Sequence, residues 1–280
     1  LYYYMTGNNI PLWTKNKFIL TGYRCQTNKL SCLISIFNIH NETINIWTHM
    51  ISLIYFVYIL IINYNNNIII KLYEIVSIIS FTMSTCYHTY MPMSQKNYLL
   101  LLKLDLFSII LNIVTSNILI YYYWFWCYKI LRNIYMFFSG LYLGIGIIIL
   151  LKIDIIKKHN YILAYYSIYN VGIIISYIHI YNLTDGDVDK IIKYNFTKPM
   201  KYFITGFIIY TIKIPERLFS KKFDIIGNSH QLWHILCSFG IYYYHEEIIK
   251  NIEYRKFDRC YYCVASNASV TPALTLNSLM

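Results

Sequence analysis

The sequence predicts an all-α integral membrane protein, folded as a bundle of seven transmembrane helices. Composition is the first observation behind this prediction. The chain is 57% hydrophobic and 13% charged, with a mean hydropathy of +0.42, whereas soluble domains carry about 25% charged residues. The second observation is grouping, because the apolar residues form seven stretches of roughly the 20 residues that a spanning helix needs. We therefore expect a multi-pass integral membrane protein, in the plasma membrane or an endomembrane.

The seven predicted spans follow one another without an internal repeat, so an inverted-repeat transporter is not expected. Span three is interrupted by Lys103 and Asp105. Span six is the weakest, because it is short and carries Lys201. The predicted spans are Ile46–Asn63, Ile68–Tyr90, Leu99–Tyr123, Asn133–Leu151, Tyr161–Tyr181, Pro199–Ile214 and Asn228–Ile248.

The spans divide the chain into three parts: an N-terminal cytosolic segment (1–45), a membrane domain (46–250) and a polar C-terminal tail (251–280). We interpret the apolar stretch Ser31–Ile39 of the first part as an interfacial helix. The net charge is +11, but the basic residues lie between apolar spans. Lipid headgroups are therefore the expected partner of these charges, and nucleic acid is not.

The distribution of basic residues favours an orientation with the N-terminus inside. With the C-terminal tail set aside, more of the lysines and arginines then lie on the inner segments, as the positive-inside rule requires. The glycosylation sequons at Asn182 and Asn195 would lie in an outer loop in this orientation.

Four chemically active side chains gather at one membrane face if successive spans alternate in direction. His230 and His234 lie four residues apart at the start of span seven, a spacing that one metal ion can bridge. His88 lies near the end of span two, and Asp105 lies about 9 Å into span three at the rise of an α-helix. Three histidines with an open fourth position are the ligands of a catalytic zinc ion. Asp105 is then a candidate general base.

Other polar residues near these spans are weaker candidates for a catalytic or binding role. Glu42, Asn45 and His49 enter span one from the same face, and we assign them to packing first and to substrate contact second. Any single membrane histidine can equally be an interhelical hydrogen-bond partner. The pair Cys260-x-x-Cys263 has metal or redox spacing but lacks a second ligand pair. Interfacial or loop positions are expected for the remaining histidines, His40, His159, His179 and His245.

Three sequence blocks resemble the PAQR family, which includes adiponectin receptors, progestin receptors and the bacterial hemolysin III group. The blocks are Ser35 to His49, Ser84-x-x-x-His88 with Asp105 seventeen residues further on, and Pro215 to Asp224 running into Ser229-His-Gln-Leu-Trp-His234. They occur in the family's order between about Pro11 and Tyr244. The third block is similar to the adiponectin-receptor branch.

The resemblance implies seven helices with the N-terminus inside and a Zn²⁺ ion near the cytosolic face, held by His88, His230 and His234. Asp105 would hold the attacking water, and Ser84 would be a polar neighbour of the site. Because the family is similar to the membrane alkaline ceramidases, the implied activity is hydrolysis of a lipid amide. The implied partner is a membrane lipid within the bundle, either a ceramide or other sphingolipid or a free fatty acid.

Two alternatives to the hydrolase stay open at this point. The chain could be a signalling receptor, or a hemolysin III-like protein, in which the zinc ion is structural. A pore is disfavoured, because the polar residues gather in one leaflet. Leu106 to Ile109 replace the Tyr and Gly that many family members carry around the motif Asp, so the lipid preference is not predicted. No extracellular ligand is predicted either.

Overall fold

The computed structural model describes residues 4–5, 10–25, 27–62, 67–152, 154, 159–183 and 191–257. Within these ranges the chain is mostly helical, and the only strands are the antiparallel pair β1 (Tyr4–Met5) and β2 (Tyr23–Arg24). The helices are α1 Lys29–Ser35, α2 Thr43–Ile62, α3 Ile68–Tyr90, α4 Gln95–Trp124, α5 Lys129–Lys152, α6 His159–Leu183, α7 Ile191–Ile212 and α8 Ser229–Phe257. The all-helical prediction is confirmed.

The long helices α2 to α8 coincide with the seven predicted spans. Helix α3 has the predicted bounds, and each of the others overlaps its span. The largest differences are at the start of α7, which begins eight residues before its span, and at the end of α8, which extends nine residues beyond its span. In the part of the chain that the structure describes, α2, α3, α4 and α5 are long and apolar enough to cross a membrane. The prediction of a multi-pass integral membrane protein is therefore confirmed.

Polar side chains cap the helices that carry the candidate site. Asn67 accepts a hydrogen bond from the backbone N–H of Ile69 at the start of α3, and Ser94 accepts one from Asn97 at the start of α4. Because α4 begins at Gln95, about one turn before the predicted span, Asp105 lies about 15 Å along the helix. The predicted depth of about 9 Å for Asp105 along its helix was therefore too small.

Helices α7 and α8 pack closely through two glycines. A Cβ atom on Gly206 would lie 2.9 Å from the ring of Trp233, and one on Gly240 would lie 2.7 Å from the ring of Phe203. Small residues let membrane helices approach each other in this way. This packing fixes the position of α8, which also lies against α2 and α3.

A row of buried polar side chains, here called the polar seam, runs along one face of α3. Its members are Glu74, Ser77, Ser80, Ser84 and His88, spaced three or four residues apart. The seam faces α4, where the Ser80 hydroxyl donates to the Ser108 carbonyl at 2.9 Å. It extends for about 21 Å at the rise of a helix. The expectation that polar residues concentrate in one leaflet is therefore wrong, because the seam continues into the opposite half of the bundle.

The N-terminal segment folds over the end of α3 and the start of α8. The Arg24 guanidinium is buried and donates to the backbone carbonyls of His88, at 2.5 Å, and of Thr89, at 3.2 Å. The Asp224 carboxylate accepts hydrogen bonds from the backbone N–H groups of Leu20 and Thr21 at 2.9 and 2.8 Å. These contacts cover the end of the bundle at which the candidate site lies.

Candidate metal centre

Three histidines from two helices meet beneath the N-terminal segment. His88 lies two residues before the C-terminal end of α3, and His230 and His234 lie in the first two turns of α8. One ring nitrogen of each lies within 4.8 Å of the others. The structure thus brings together the three residues that helix alternation had placed at one face, and we call them the histidine cluster.

The three ring nitrogens of the histidine cluster are close enough together to hold one metal ion. Zinc binds histidine nitrogens at about 2.0–2.1 Å, which places two tetrahedral ligands about 3.4 Å apart. The Nε2 atoms of His230 and His234 are 3.1 Å apart. The Nε2 atom of His88 is buried and makes no hydrogen bond to any described residue. Buried polar atoms rarely go without a partner, so a cation or a hydrogen-bond donor would satisfy this nitrogen.

Glu42 holds the outer side of His88. Its Oε2 atom lies 2.8 Å from His88 Nδ1 and also accepts a hydrogen bond from the Asn45 amide at 2.6 Å. A carboxylate on one ring nitrogen orients the other nitrogen of a metal-binding histidine and makes it a better ligand. Glu42 thus contacts a candidate ligand directly, and the packing role predicted for it stays a prediction.

Asp105 lies beside the cluster on α4. Its carboxylate is buried and interacts with the side chains of His88 and of Ser84, which lies one turn before His88 on α3. The Oδ1 atom of Asp105 makes no hydrogen bond to a described residue. A buried carboxylate with one oxygen atom free of hydrogen bonds can accept a proton from a molecule bound at the cluster. The structure thus brings all five predicted site residues to one place.

His49 supports the cluster from α2. Its ring stacks on that of His234, with centroids 3.9 Å apart and planes 18° apart, and it meets Phe81 edge-on at 5.1 Å. This contact fits the packing role predicted for His49, and it fixes the plane of a candidate ligand.

Tyr210 and Lys213 form one wall of the site, and sequence reasoning missed both. The Tyr210 ring meets the His230 ring edge-on at 5.3 Å, and the Lys213 ammonium lies 3.5 Å from the centre of the Tyr210 ring. Burial lowers the pKa of Lys213 to about 8, with Glu216 acting in the opposite direction. Lys213 directly follows α7, in a loop whose path no motif indicates.

The other histidines differ from expectation in two cases. His179 on α6 lies 3.1 Å from the Tyr135 hydroxyl of α5, and His245 on α8 lies 3.0 Å from the Glu74 carboxylate. Both residues therefore lie in helices rather than in loops, and an interfacial position for them stays a prediction. His40 does lie in the turn before α2, where its Nδ1 atom accepts from the Glu42 backbone at 3.0 Å. The His159 side chain, Cys260 and Cys263 lie outside the described residues.

The sequence model of the Haemolysin-III related family matches residues 37–245, a range that contains every residue of the site described above. The chain belongs to the Haemolysin-III related family. The match covers more than half of the chain and confirms the resemblance seen in the three sequence blocks.

Relatives of this chain include receptors named for adiponectin and progestin. The Adiponectin receptor protein of Drosophila melanogaster is 28% identical over an alignment of 264 positions that covers 88% of this chain and 59% of that protein. Progestin and adipoQ receptor family member 3 of Mus musculus is 25% identical over an alignment of 283 positions that covers 91% of this chain and 88% of that protein. An uncharacterized Schizosaccharomyces pombe protein is 31% identical over an alignment of 262 positions that covers 86% of this chain. The chain spans 58% of the length of this yeast protein.

Proposed function

We propose that this chain is a zinc-dependent hydrolase of membrane lipid amides, with a ceramide or related sphingolipid as substrate. The observation that carries the proposal is the meeting of three histidine nitrogens within 4.8 Å with a buried carboxylate on the adjoining helix. Three histidines with room for a fourth ligand are typical of catalytic zinc sites rather than closed structural ones.

Each residue of the site has a role in this proposal. His88, His230 and His234 would hold the zinc ion, which supplies a Lewis acid for the amide carbonyl and favours ionisation of water. Asp105 would take a proton from the attacking water on its Oδ1 atom and deliver it to the nitrogen of the leaving amine. The Ser84 hydroxyl would hold the Asp105 carboxylate in place during these steps. The products are a fatty acid and a long-chain amine.

The surroundings of the histidine cluster support a lipid rather than a water-soluble substrate. Of the helices that carry the site, α3 and α4 are long and apolar enough to lie in a bilayer. The Tyr210 ring contacts His230, and the Phe81 ring contacts His49, which stacks on His234. The proposal includes seven spanning helices with the N-terminus inside. In that arrangement the cluster lies near the cytosolic face, where an amide just below the lipid headgroups could reach it.

Lipid turnover by the purified chain tests the proposal. The zinc-loaded chain in nanodiscs should release fatty acid from ceramide. His88→Ala should lose both zinc and release, whereas Asp105→Asn should keep zinc and lose release. His179→Gln provides a matched control, because it alters a helix-borne histidine that lies apart from the cluster and should change neither. Unchanged release in both His88→Ala and Asp105→Asn would rule the hydrolase out.

A receptor with a structural zinc ion is the second candidate. The names of the relatives favour it, and a metal bridging α3 and α8 would fasten these helices together. In this case Asp105→Asn leaves the ligand response intact, and loss of any cluster histidine destabilises the fold. The Asp105→Asn variant therefore separates the two candidates.

A further inference from the structure

A second pair of ionisable side chains lies in the other half of the bundle. Glu74 on α3 and His245 on α8 approach to 3.0 Å between Oε1 and Nε2, and their side chains are 0% and 3% exposed. Glu74 precedes His88 by fourteen residues, and His245 follows His234 by eleven. At the rise of a helix the pair is about 16–21 Å from the histidine cluster, so the two are separate sites.

Aromatic rings enclose the Glu74–His245 pair. The Tyr73 ring lies parallel to the His245 ring, with centroids 6.2 Å apart, and Phe56 meets it edge-on at 5.7 Å. The Tyr73 hydroxyl donates to the Ile241 carbonyl at 3.2 Å, which ties α3 to α8 a second time. The ionisable groups described around the pair are Tyr55 on α2, Lys71 and Tyr73 on α3, and Tyr242, Tyr244, Glu246, Glu247 and Lys250 on α8.

The pair is not explained by stability alone. Desolvation of two buried charges offsets most of their attraction, so two apolar side chains of similar size would hold the helices equally well. Ionisable residues within a membrane bundle are a functional-site hypothesis by default, and proton relays are one attested use. With one proton shared between carboxylate and imidazole the site is neutral overall. A second proton leaves a buried cation, and removal of the shared proton leaves a buried anion.

We propose that Glu74 and His245 form a proton-binding site that fastens α3 to α8 in the half of the bundle away from the histidine cluster. One proton is bound between Glu74 Oε1 and His245 Nε2, and it exchanges with the aqueous phase on that side. The helices it fastens are the two that carry all three histidines of the cluster. The proposal does not depend on hydrolase activity, because its test measures stability and protonation alone.

A double-mutant cycle measured as a function of pH tests this proposal. The full chain, Glu74→Gln, His245→Gln and the double variant are placed in nanodiscs, and the Tm of each is followed from pH 4.5 to 9. All four proteins share the histidine cluster, so its own titration cancels in the coupling between positions 74 and 245. The coupling should reach a shift of about 3 °C in Tm at the pH where the pair holds one proton. It should fall on both sides, as the shared proton is lost or a second one is added.

Infrared difference spectra provide a direct reading of the proton. Acidification of the wild-type chain should produce a band of a protonated carboxyl group that is absent from Glu74→Gln. If the single variants fold poorly, the double variant Glu74→Leu/His245→Phe replaces the pair by apolar side chains. It should fold, keep the zinc content of the wild type and lack this band.

The pair Glu247–Lys250 is the matched control. Its atoms are 2.9 Å apart, but the Lys250 side chain is 57% exposed, so the same cycle there should give a coupling below about 1 °C throughout. A coupling between Glu74 and His245 that stays constant within about 1 °C from pH 4.5 to 9 would overturn the proposal. A wild-type carboxyl band that persists in Glu74→Gln would do the same.

Discussion

The two ends of α3 and α8 carry similar side chains in different states. At one end, His88, His230 and His234 crowd their nitrogens together, and His88 Nε2 has no hydrogen-bond partner among the described residues. At the other end, the His245 nitrogen that faces α3 meets the Glu74 carboxylate at 3.0 Å. His245 Nδ1 also lacks a hydrogen-bond partner among the described residues, so the two ends differ in composition: three converging histidines at one, a carboxylate–histidine pair at the other. We propose that the first end receives a ligand, whereas the second joins its own two helices.

The first way to sharpen this comparison removes the carboxylate of the ligand-receiving end. Asp105→Asn should lower the rate of lipid amide hydrolysis by about 10²–10⁴-fold, because the amide cannot accept a proton from water. Zinc content should not change, since Asp105 is not a candidate ligand. Steady-state release of fatty acid measures the rate, and an Asp105→Asn protein as active as the wild type would contradict the assigned role.

The second prediction concerns the carboxylate that orients a ligand. Glu42→Gln should lower zinc affinity by about 10–100-fold, because His88 loses the charged partner on its Nδ1 atom. Competition with a chromogenic chelator measures the affinity. Glu253→Gln is the control, since Glu253 is exposed in the last turns of α8 and should leave the affinity unchanged. Equal affinities for Glu42→Gln and the wild type would show that Glu42 serves packing alone.

The third prediction tests the packing of α8 against α7. Gly240→Ala forces a Cβ atom to within 2.7 Å of the Phe203 ring, and such overpacking costs about 1–3 kcal/mol. A matched substitution is Gly144→Ala, where nothing lies within 4 Å of the added atom. Thermal unfolding in nanodiscs should show a lower Tm for Gly240→Ala only. Equal Tm values for the two variants would contradict the close contact of α7 and α8.

The smallest predicted effect concerns Lys213, which adds a positive charge to the wall of the histidine cluster. Burial lowers its pKa to about 8, whereas a lysine in an unfolded chain has a pKa of about 10.4. Between these values the unfolded chain binds more protons, so the stability of the wild type should rise with pH. The Tm of the wild type relative to Lys213→Gln, followed from pH 7.5 to 10, measures this. A difference that falls as pH rises would contradict the burial of Lys213.

The sequence located the helices and the histidine cluster because both follow from the length of the apolar stretches and from the alternating direction of successive spans. Apolar stretches mark helices, and alternation of direction brings His88 to the side of His230 and His234. Hydropathy does not detect the first turn of α4, because that turn is polar. The Ser94 cap begins the helix there, before the apolar residues of the predicted span. This is why Asp105 lies further along its helix than predicted.

Side-chain partners between distant elements could not be predicted in the same way. Glu42 and His88 are 46 residues apart, and Glu74 and His245 are 171 apart. Their pairing depends on how each helix is rotated about its axis, and this rotation follows from packing of the whole bundle. A lone carboxylate within a predicted span, such as Glu74, was the available signal. Such a carboxylate indicates that a side-chain partner exists, but it does not identify the residue.

The central claim is that the ligand-receiving end holds zinc and the opposite end does not. Elemental analysis of the purified chain tests it most directly, with the wild type, His88→Ala and His245→Gln compared after identical exposure to zinc and dialysis. One zinc ion per chain is expected for the wild type and for His245→Gln, and none for His88→Ala. A wild-type chain without zinc, or one that keeps its full content in His88→Ala, would contradict the account.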